Sequence, residues 1–205
     1  RLLAYSSIGQ IGYIVFALGA SLLMMNSESD FLKILSLLII VGALYHVLNH
    51  AIFKGLLFPV SGSVLFATGT KDLNRLGGLL KIMPFTAFAA GIASLSIAGV
   101  PPFSGFASKW TIISSSILAG SEIMFMAIFG IIALFTSAIT LACYVKFFGM
   151  KLTSSGTEWT VEKEIKESPF TMLLSKGVLT LFCIIQGLIP FVYFNAIITV
   201  FQKAK

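Results

Sequence analysis

The chain has 205 residues, 57% of them hydrophobic and only 11% charged, with a mean hydropathy of +0.98. Soluble domains carry roughly 25% charged residues, so lipid must form part of this chain's solvent. The net charge of +6 is scattered over single Lys and Arg residues at segment ends, without a basic run, which argues against nucleic-acid binding and fits a membrane-topology signal.

A hydrocarbon core of about 30 Å needs about 20 helical residues to cross it. Apolar runs of that length recur without strand-like alternation, which predicts an all-α polytopic bundle of about five transmembrane spans. The first runs from Leu2 to Met25 and ends at the polar turn NSESD, 26–30. It opens Arg1-Leu2-Leu3, without methionine or a secretory leader, and is expected to continue from an earlier part of a longer protein. The second stays apolar from Phe31 to Thr68, longer than one crossing, so it must tilt, bend or project. After GTKDLNRLGGLLK (69–81) a third segment starts at Pro84 and reaches about Leu118, interrupted at Pro101-Pro102. The fourth spans about Ser121 to Phe148, and the polar loop 149–169 follows. The fifth begins after Pro169 and ends near Gln202, with a kink expected at Pro190.

Five spans alternate sides. One side collects Arg1, Lys71, Arg75, Lys81, Lys151, Lys163 and Lys166; the other collects Glu28, Asp30 and Glu122, with Lys33, Lys203 and Lys205 dissenting. An excess of Lys and Arg marks cytoplasmic loops, which puts 69–81 and 149–169 on the cytoplasmic side. Cys143 and Cys183 lie singly in apolar segments and are expected to be small buried hydrophobes, without a disulfide or a metal.

Ionisable residues inside a span are costly, about 2.5–3.5 kcal/mol each on the lenient insertion scale, so each is a functional candidate. Lys33, Lys146 and Lys176 lie close enough to helix ends for their stems to reach the interface, and snorkelling is expected of them. Lys54 is about 21 Å from Thr68 along a helix and farther from Phe31, beyond the reach of any stem, so it must face protein or a water-filled cavity. In YHVLNHAIFKG (45–55), His46, His50 and Lys54 are spaced i, i+4, i+8 and line one helix face, flanked by Tyr45 and Asn49. Zinc needs further ligands than this His-x₃-His pair, and haem would need an axial histidine elsewhere, although both histidines of the chain are in this stripe. No metal or cofactor is therefore expected in this chain. Interhelical packing and a proton relay remain open, and a neutral imidazole, donor at one nitrogen and acceptor at the other, suits a relay.

Lys109 follows Pro102 by seven residues in AGVPPFSGFASKW. The prolines remove backbone donors, and Gly99 and Gly105 let the chain unwind on either side. The expected result is a discontinuous helix over 84–118, with free carbonyls ending its first half and free N–H groups opening its second. Irregular backbone at membrane depth is tolerated only where it is buried in protein or lines a cavity. Lys109 stands about one turn into the second half.

Four stretches, RLLAYSSIGQIGYI, YHVLNHAIFKGLLFPVSGSV, KDLNRLGGL and AGVPPFSGFASKW, resemble in order and spacing the antiporter-like subunits of respiratory complex I, of Mrp Na⁺/H⁺ antiporters and of energy-converting membrane-bound hydrogenases. The resemblance covers residues 1 to about 150. It implies a subunit of about fourteen transmembrane helices around two inverted five-helix repeats, of which this chain would be the C-terminal part: the second repeat minus its first helix, plus one further helix. It implies a prokaryotic cytoplasmic membrane, partner membrane subunits, the preceding part of the same subunit, lipid, and protons or Na⁺ as the transported ions. By the same resemblance His46, His50 and Lys54 link two half-channels and Lys109 exchanges protons with the far side. The first-repeat lysines of the family are absent, so this chain alone would not complete a path. Gly9 stands where many relatives carry serine, while Gln10, on a face with Ser6 and Tyr13, keeps a polar contact. Lys rather than Glu at 109 favours the distal complex I subunit, the Mrp type or the ion-pumping hydrogenase type. The alternative is a structural membrane-arm subunit whose polar residues only pack helices; either way no redox chemistry is expected in this chain.

Overall fold

The computed structural model describes residues 2–203 apart from 71, 73, 74 and 156–164, and the side chains at 150 and 151 also fall outside it. Arg1, Lys71, Lys163 and Lys205, and the side chain of Lys151, which enter the charge argument, thus lie outside the described residues.

The first two apolar runs form α1 (Leu2–Met25) and α2 (Asp30–Thr68), packed along one another. Ser29 caps α2 by accepting from the Leu32 N–H at 3.5 Å, and Asp30 in the first turn complements the helix dipole. Its 39 residues measure about 58 Å, nearly twice the hydrocarbon thickness. Gly69, with φ 70°, ends it in the left-handed region that a side chain disfavours. A short α3 (Leu79–Ile82) leads into α4 (Pro84–Ala98), which opens on proline at its first turn.

The expected break falls where the prolines are: α4 ends at Ala98 and α5 runs from Ser104 to Ala119. At 15 and 16 residues neither half crosses a bilayer alone. Helix α6 (Met124–Phe148) runs into a π-helical turn at Gly149–Thr153. Among the described residues, four helices are each long and apolar enough to span by themselves: α1, α2, α6 and α7 (Phe170–Leu188). With the α4–α5 pair they make the five expected crossings.

At Pro190 the structure departs from expectation. The chain is not kinked within one span; α7 stops at Leu188 and a separate helix, α8 (Pro190–Lys203), begins on the proline. Proline lacks the N–H that a helix interior needs but fits the first turn, where that group has no partner. No residue of α8 is buried.

Two apolar clusters hold the bundle. One joins α1, α2, α5 and α6 around Met24, Ile39 and Ile112; the other joins α2, α4, α6 and α7 around Phe53, Leu57, Ala90 and Cys183. Large apolar side chains such as Ile8, Phe66, Phe135 and Ile139 point outward, as expected of a surface solvated by lipid. Cys183 is buried as predicted, but Cys143 is exposed on that outer surface of α6.

Candidate functional site

The break is built by local rules. Gly99, at φ 79°, ends α4 by donating to the Ser96 carbonyl, and the Val100 N–H reaches back to Leu95. That closes two of the four terminal carbonyls and leaves those of Ile97 and Ala98. Lys109, arriving from α5, donates to Ile97 O at 2.7 Å and approaches Ala98 O at 3.5 Å; Ser137 of α6 donates to Ala98 O at 3.1 Å. The lysine is 2% exposed, and its Nζ lies 5.2 Å from the centroid of the Tyr13 ring. Among the described residues no carboxylate pairs with it, so carbonyl dipoles and an aromatic face hold the amine in place of a counter-ion. The Pro101–Pro102 peptide is cis.

Close approach explains two glycines. A Cβ on Gly105 would run into the Ser96 carbonyl, so only glycine lets the two half-helices meet here. On α7, a Cβ on Gly187 would run into Pro102 O; nothing in the local sequence around Gly187 signals this, because the partner lies 85 residues away.

One turn along α5, Ser108 gathers the α2 stripe. Its hydroxyl donates to Gly105 O at 3.2 Å, while His46 Nδ1 lies at 2.9 Å and the Asn49 amide donates at 3.0 Å. A hydroxyl has one hydrogen, and with that directed at Gly105 it accepts from both neighbours. His46 is therefore assigned its proton on Nδ1, which leaves Nε2 as a bare acceptor; that atom is buried without a partner. Asn49 Oδ1 and His50 Nε2 are also buried and unpartnered. Buried polar atoms without a protein partner are few in folded proteins, and three of them fall on this one stripe.

At the far end of the stripe Lys54, 5% exposed, donates to Leu3 O at 2.7 Å and to Ser6 Oγ at 2.6 Å, and Ser6 is 2.8 Å from the Tyr144 hydroxyl. His46 and Lys54 are about 12 Å apart along the helix, with His50 between them edge-on to Phe53. The structure thus brings Lys109, His46 and Asn49 together through Ser108 and Tyr13, and sets Lys54 with Ser6. Tyr45 lies beside Asn49 and donates to Gln186 O of α7. Gln10 is buried with its Oε1 unpartnered, and no atom lies within 4 Å of a Cβ built on Gly9.

Snorkelling fits Lys33, which is exposed and pairs with Asp30 at 3.3 Å, and Lys146, which is exposed; it fails for Lys176. Lys176 is fully buried, donating to Ser63 and Ser168 at 2.8 Å each and to the Thr86 hydroxyl. Distance from a helix end could not reveal this, because the cage comes from α2, α4 and the loop before α7. Glu167 completes it, accepting from the Thr86 hydroxyl at 2.6 Å and from the Phe85 and Thr86 N–H groups at 3.1 and 3.3 Å. Burial works to raise the Glu167 carboxyl, but these donors, the Ser168 N–H and the Lys176 charge outweigh it and hold it below the ordinary carboxylate value.

Residues 1–140 match the family model described as NADH:quinone oxidoreductase/Mrp antiporter, TM. The Na⁺/H⁺ antiporter subunit A1 of Staphylococcus aureus is 35% identical over 202 residues, covering 96% of this chain and 25% of that protein. A chain of the archaeal membrane-bound sulfane sulfur reductase complex superposes with a TM-score of 0.65 at 28% identity, over 91% of this chain and 31% of its own. A chain of the Mrp complex from Dietzia sp. DQ12-45-1b does so with a TM-score of 0.63 at 18% identity, over 94% and 46%, which speaks for the fold alone. The chain spans about a quarter of the length of the curated relatives it matches. With the family model matching well over half of its length, and matching the run that contains the α2 stripe and the broken helix, the chain belongs to the transmembrane antiporter-like family of NADH:quinone oxidoreductases and Mrp antiporters.

Proposed function

We infer that this chain is part of an antiporter-like subunit that moves protons, alone or in exchange for Na⁺, across a prokaryotic cytoplasmic membrane. The proposed setting is a multi-subunit complex of the Mrp, membrane-bound hydrogenase or complex I type. Loops 69–81 and 149–169 face the cytoplasm in this reading. Lys54, His50, His46 and Lys109 carry the proton, with Ser108, Ser6, Asn49 and water between them.

The observation that carries the reading is the bare Nε2 of His46, buried between two buried lysines. Each lysine is held by neutral oxygens, and those oxygens remain in place when the amine gives up its proton. Nothing has to be rebuilt between the two protonation states, which is what a carrier in a relay requires.

The experiment is Lys54→Met in the complete subunit within its complex, reconstituted in vesicles, with proton movement read by a pH-sensitive dye. Methionine roughly keeps the volume and removes the exchangeable proton. Loss of transport in an assembled complex supports the relay, whereas transport at the wild-type rate assigns Lys54 to packing alone.

A further inference from the structure

We propose that Glu167, Thr86, Ser168 and Lys176 form a second proton-exchange site, an uptake port that takes protons from the aqueous phase beside the 149–169 loop and delivers them towards the helix break. The proposal rests on the translocation reading above, but on a separate set of residues.

The geometry is that of a two-sided exchange unit. Glu167 is half-buried and faces the loop side; Lys176 is fully buried behind it. Two hydroxyls bridge them. Thr86 Oγ1 donates to Glu167 Oε1 at 2.6 Å and accepts from Lys176 Nζ; Ser168 Oγ lies 3.4 Å from the same oxygen and accepts from Lys176 at 2.8 Å. A proton arriving on the carboxylate therefore has a complete path inward. Glu167 as a carboxylic acid gives its proton to Thr86 Oγ1 while the Thr86 hydroxyl proton passes to the lone pair of a neutral Lys176. The products are a carboxylate, an unchanged threonine hydroxyl and an ammonium, with every proton accounted for. Among the groups facing Lys176 from α2, α4 and the preceding loop, Ser63, Thr86 and Ser168 are hydroxyls and Glu167 is the charged one.

The route onward is written on α7. Lys176, Thr180, Cys183 and Gln186, spaced by four, three and three residues, are the buried residues of that helix and form one inward stripe about 15 Å long. Cys183 lies beside the hydroxyls of Ser96 and Ser104, which flank the helix break. These hydroxyls and the buried Gln186 amide continue the line of polar groups towards the break. At the end of the stripe the Gln186 backbone carbonyl accepts from the Tyr45 hydroxyl, one turn from Asn49 on α2. A clamp serving packing alone explains the cage around Lys176 but not the buried polar groups that lead from it to the break.

The test compares Lys176→Arg, Glu167→Gln and Lys109→Ala in the complete subunit within its complex, with transport measured in vesicles across a range of pH. Arginine keeps the charge and the donors but does not release its proton, so a clamp tolerates it and an exchange site does not. The expected result is assembled Lys176→Arg complex with transport reduced about tenfold or more, the scale of losing one proton-transfer group. Glu167→Gln, which keeps the volume but can neither carry the proton nor hold a negative charge beside the amine, is expected to slow transport and to move its pH profile to lower pH. Wild-type rate and an unchanged profile in both overturn the port. If Lys176→Arg fails to assemble, Glu167→Gln decides, and an unchanged profile again overturns it. Lys109→Ala separates the two ideas: if it abolishes transport while the other two leave it unchanged, the port alone fails, and if it too transports normally, the translocation reading fails with it.

Discussion

Lys109 donates to the Ile97 carbonyl at 2.7 Å, so the residue one turn beyond the break closes the helix end just before it. The two halves of the broken helix are tied by a side chain whose protonation can change, rather than by backbone alone. Removing the amine leaves the Ile97 carbonyl without its donor, at a cost of about 1–3 kcal/mol if unpaired, while Ala98 O keeps the Ser137 hydroxyl. Lys109→Met in the complete subunit is expected to lower thermal stability and abolish transport together, whereas Lys54→Met, whose partners Leu3 and Ser6 are only partly buried, is expected to abolish transport with a smaller stability loss. Melting curves of the purified complexes beside vesicle assays check the pairing.

Ser108 sets the His46 tautomer. Ser108→Ala leaves the Nδ1–H of His46 and the Asn49 amide without their shared acceptor, so transport is expected to slow by about tenfold while the complex assembles. Ser108→Thr, which keeps the hydroxyl, should restore most of the rate. Equal rates in the alanine and threonine variants would remove Ser108 from the relay.

Backbone contact at the break makes a steric prediction. Gly105→Ala places a methyl group on the Ser96 carbonyl and is expected to destabilise the subunit by about 1–3 kcal/mol, seen as a lower melting temperature. Gly9→Ala, with nothing within 4 Å of the new carbon, is expected to leave the melting temperature unchanged or slightly raised.

Glu167 links stability to pH. Its carboxyl is held below the ordinary value of 4.5 in the folded protein, so the unfolded chain binds the proton more readily than the folded one. The stabilisation is fully present above that ordinary value and is lost as pH falls through the lowered one. Acid melting curves of the wild type should therefore fall more steeply below about pH 4.5 than those of Glu167→Gln. Parallel curves would mean that Glu167 gains nothing on folding.

Most of the fold was legible because lipid imposes simple rules: span lengths, the break at Pro101-Pro102 and the first-turn proline at Pro84 follow from backbone hydrogen bonding at depth. Lys54 stands out because no lysine stem reaches water from its position, and Lys109 because it follows the Pro101-Pro102 break by about one turn of the second half-helix. Lys176 was misjudged for the complementary reason: proximity to a helix end permits snorkelling but does not require it, and its hydroxyl cage is assembled from three separate parts of the chain. Ser108, Tyr144 and Ser137 give no sign of a site role in the sequence, since each acts through partners far away in the chain. Pro190 showed the ambiguity of a proline in an apolar run, which can kink one helix or begin another.

The central claim is that Lys109 carries the transported proton at the helix break. The most direct measurement is proton movement in vesicles containing the complete complex with Lys109→Ala, with assembly verified on the same sample. Assembled complex without transport is the predicted result; assembled complex that transports at the wild-type rate contradicts it.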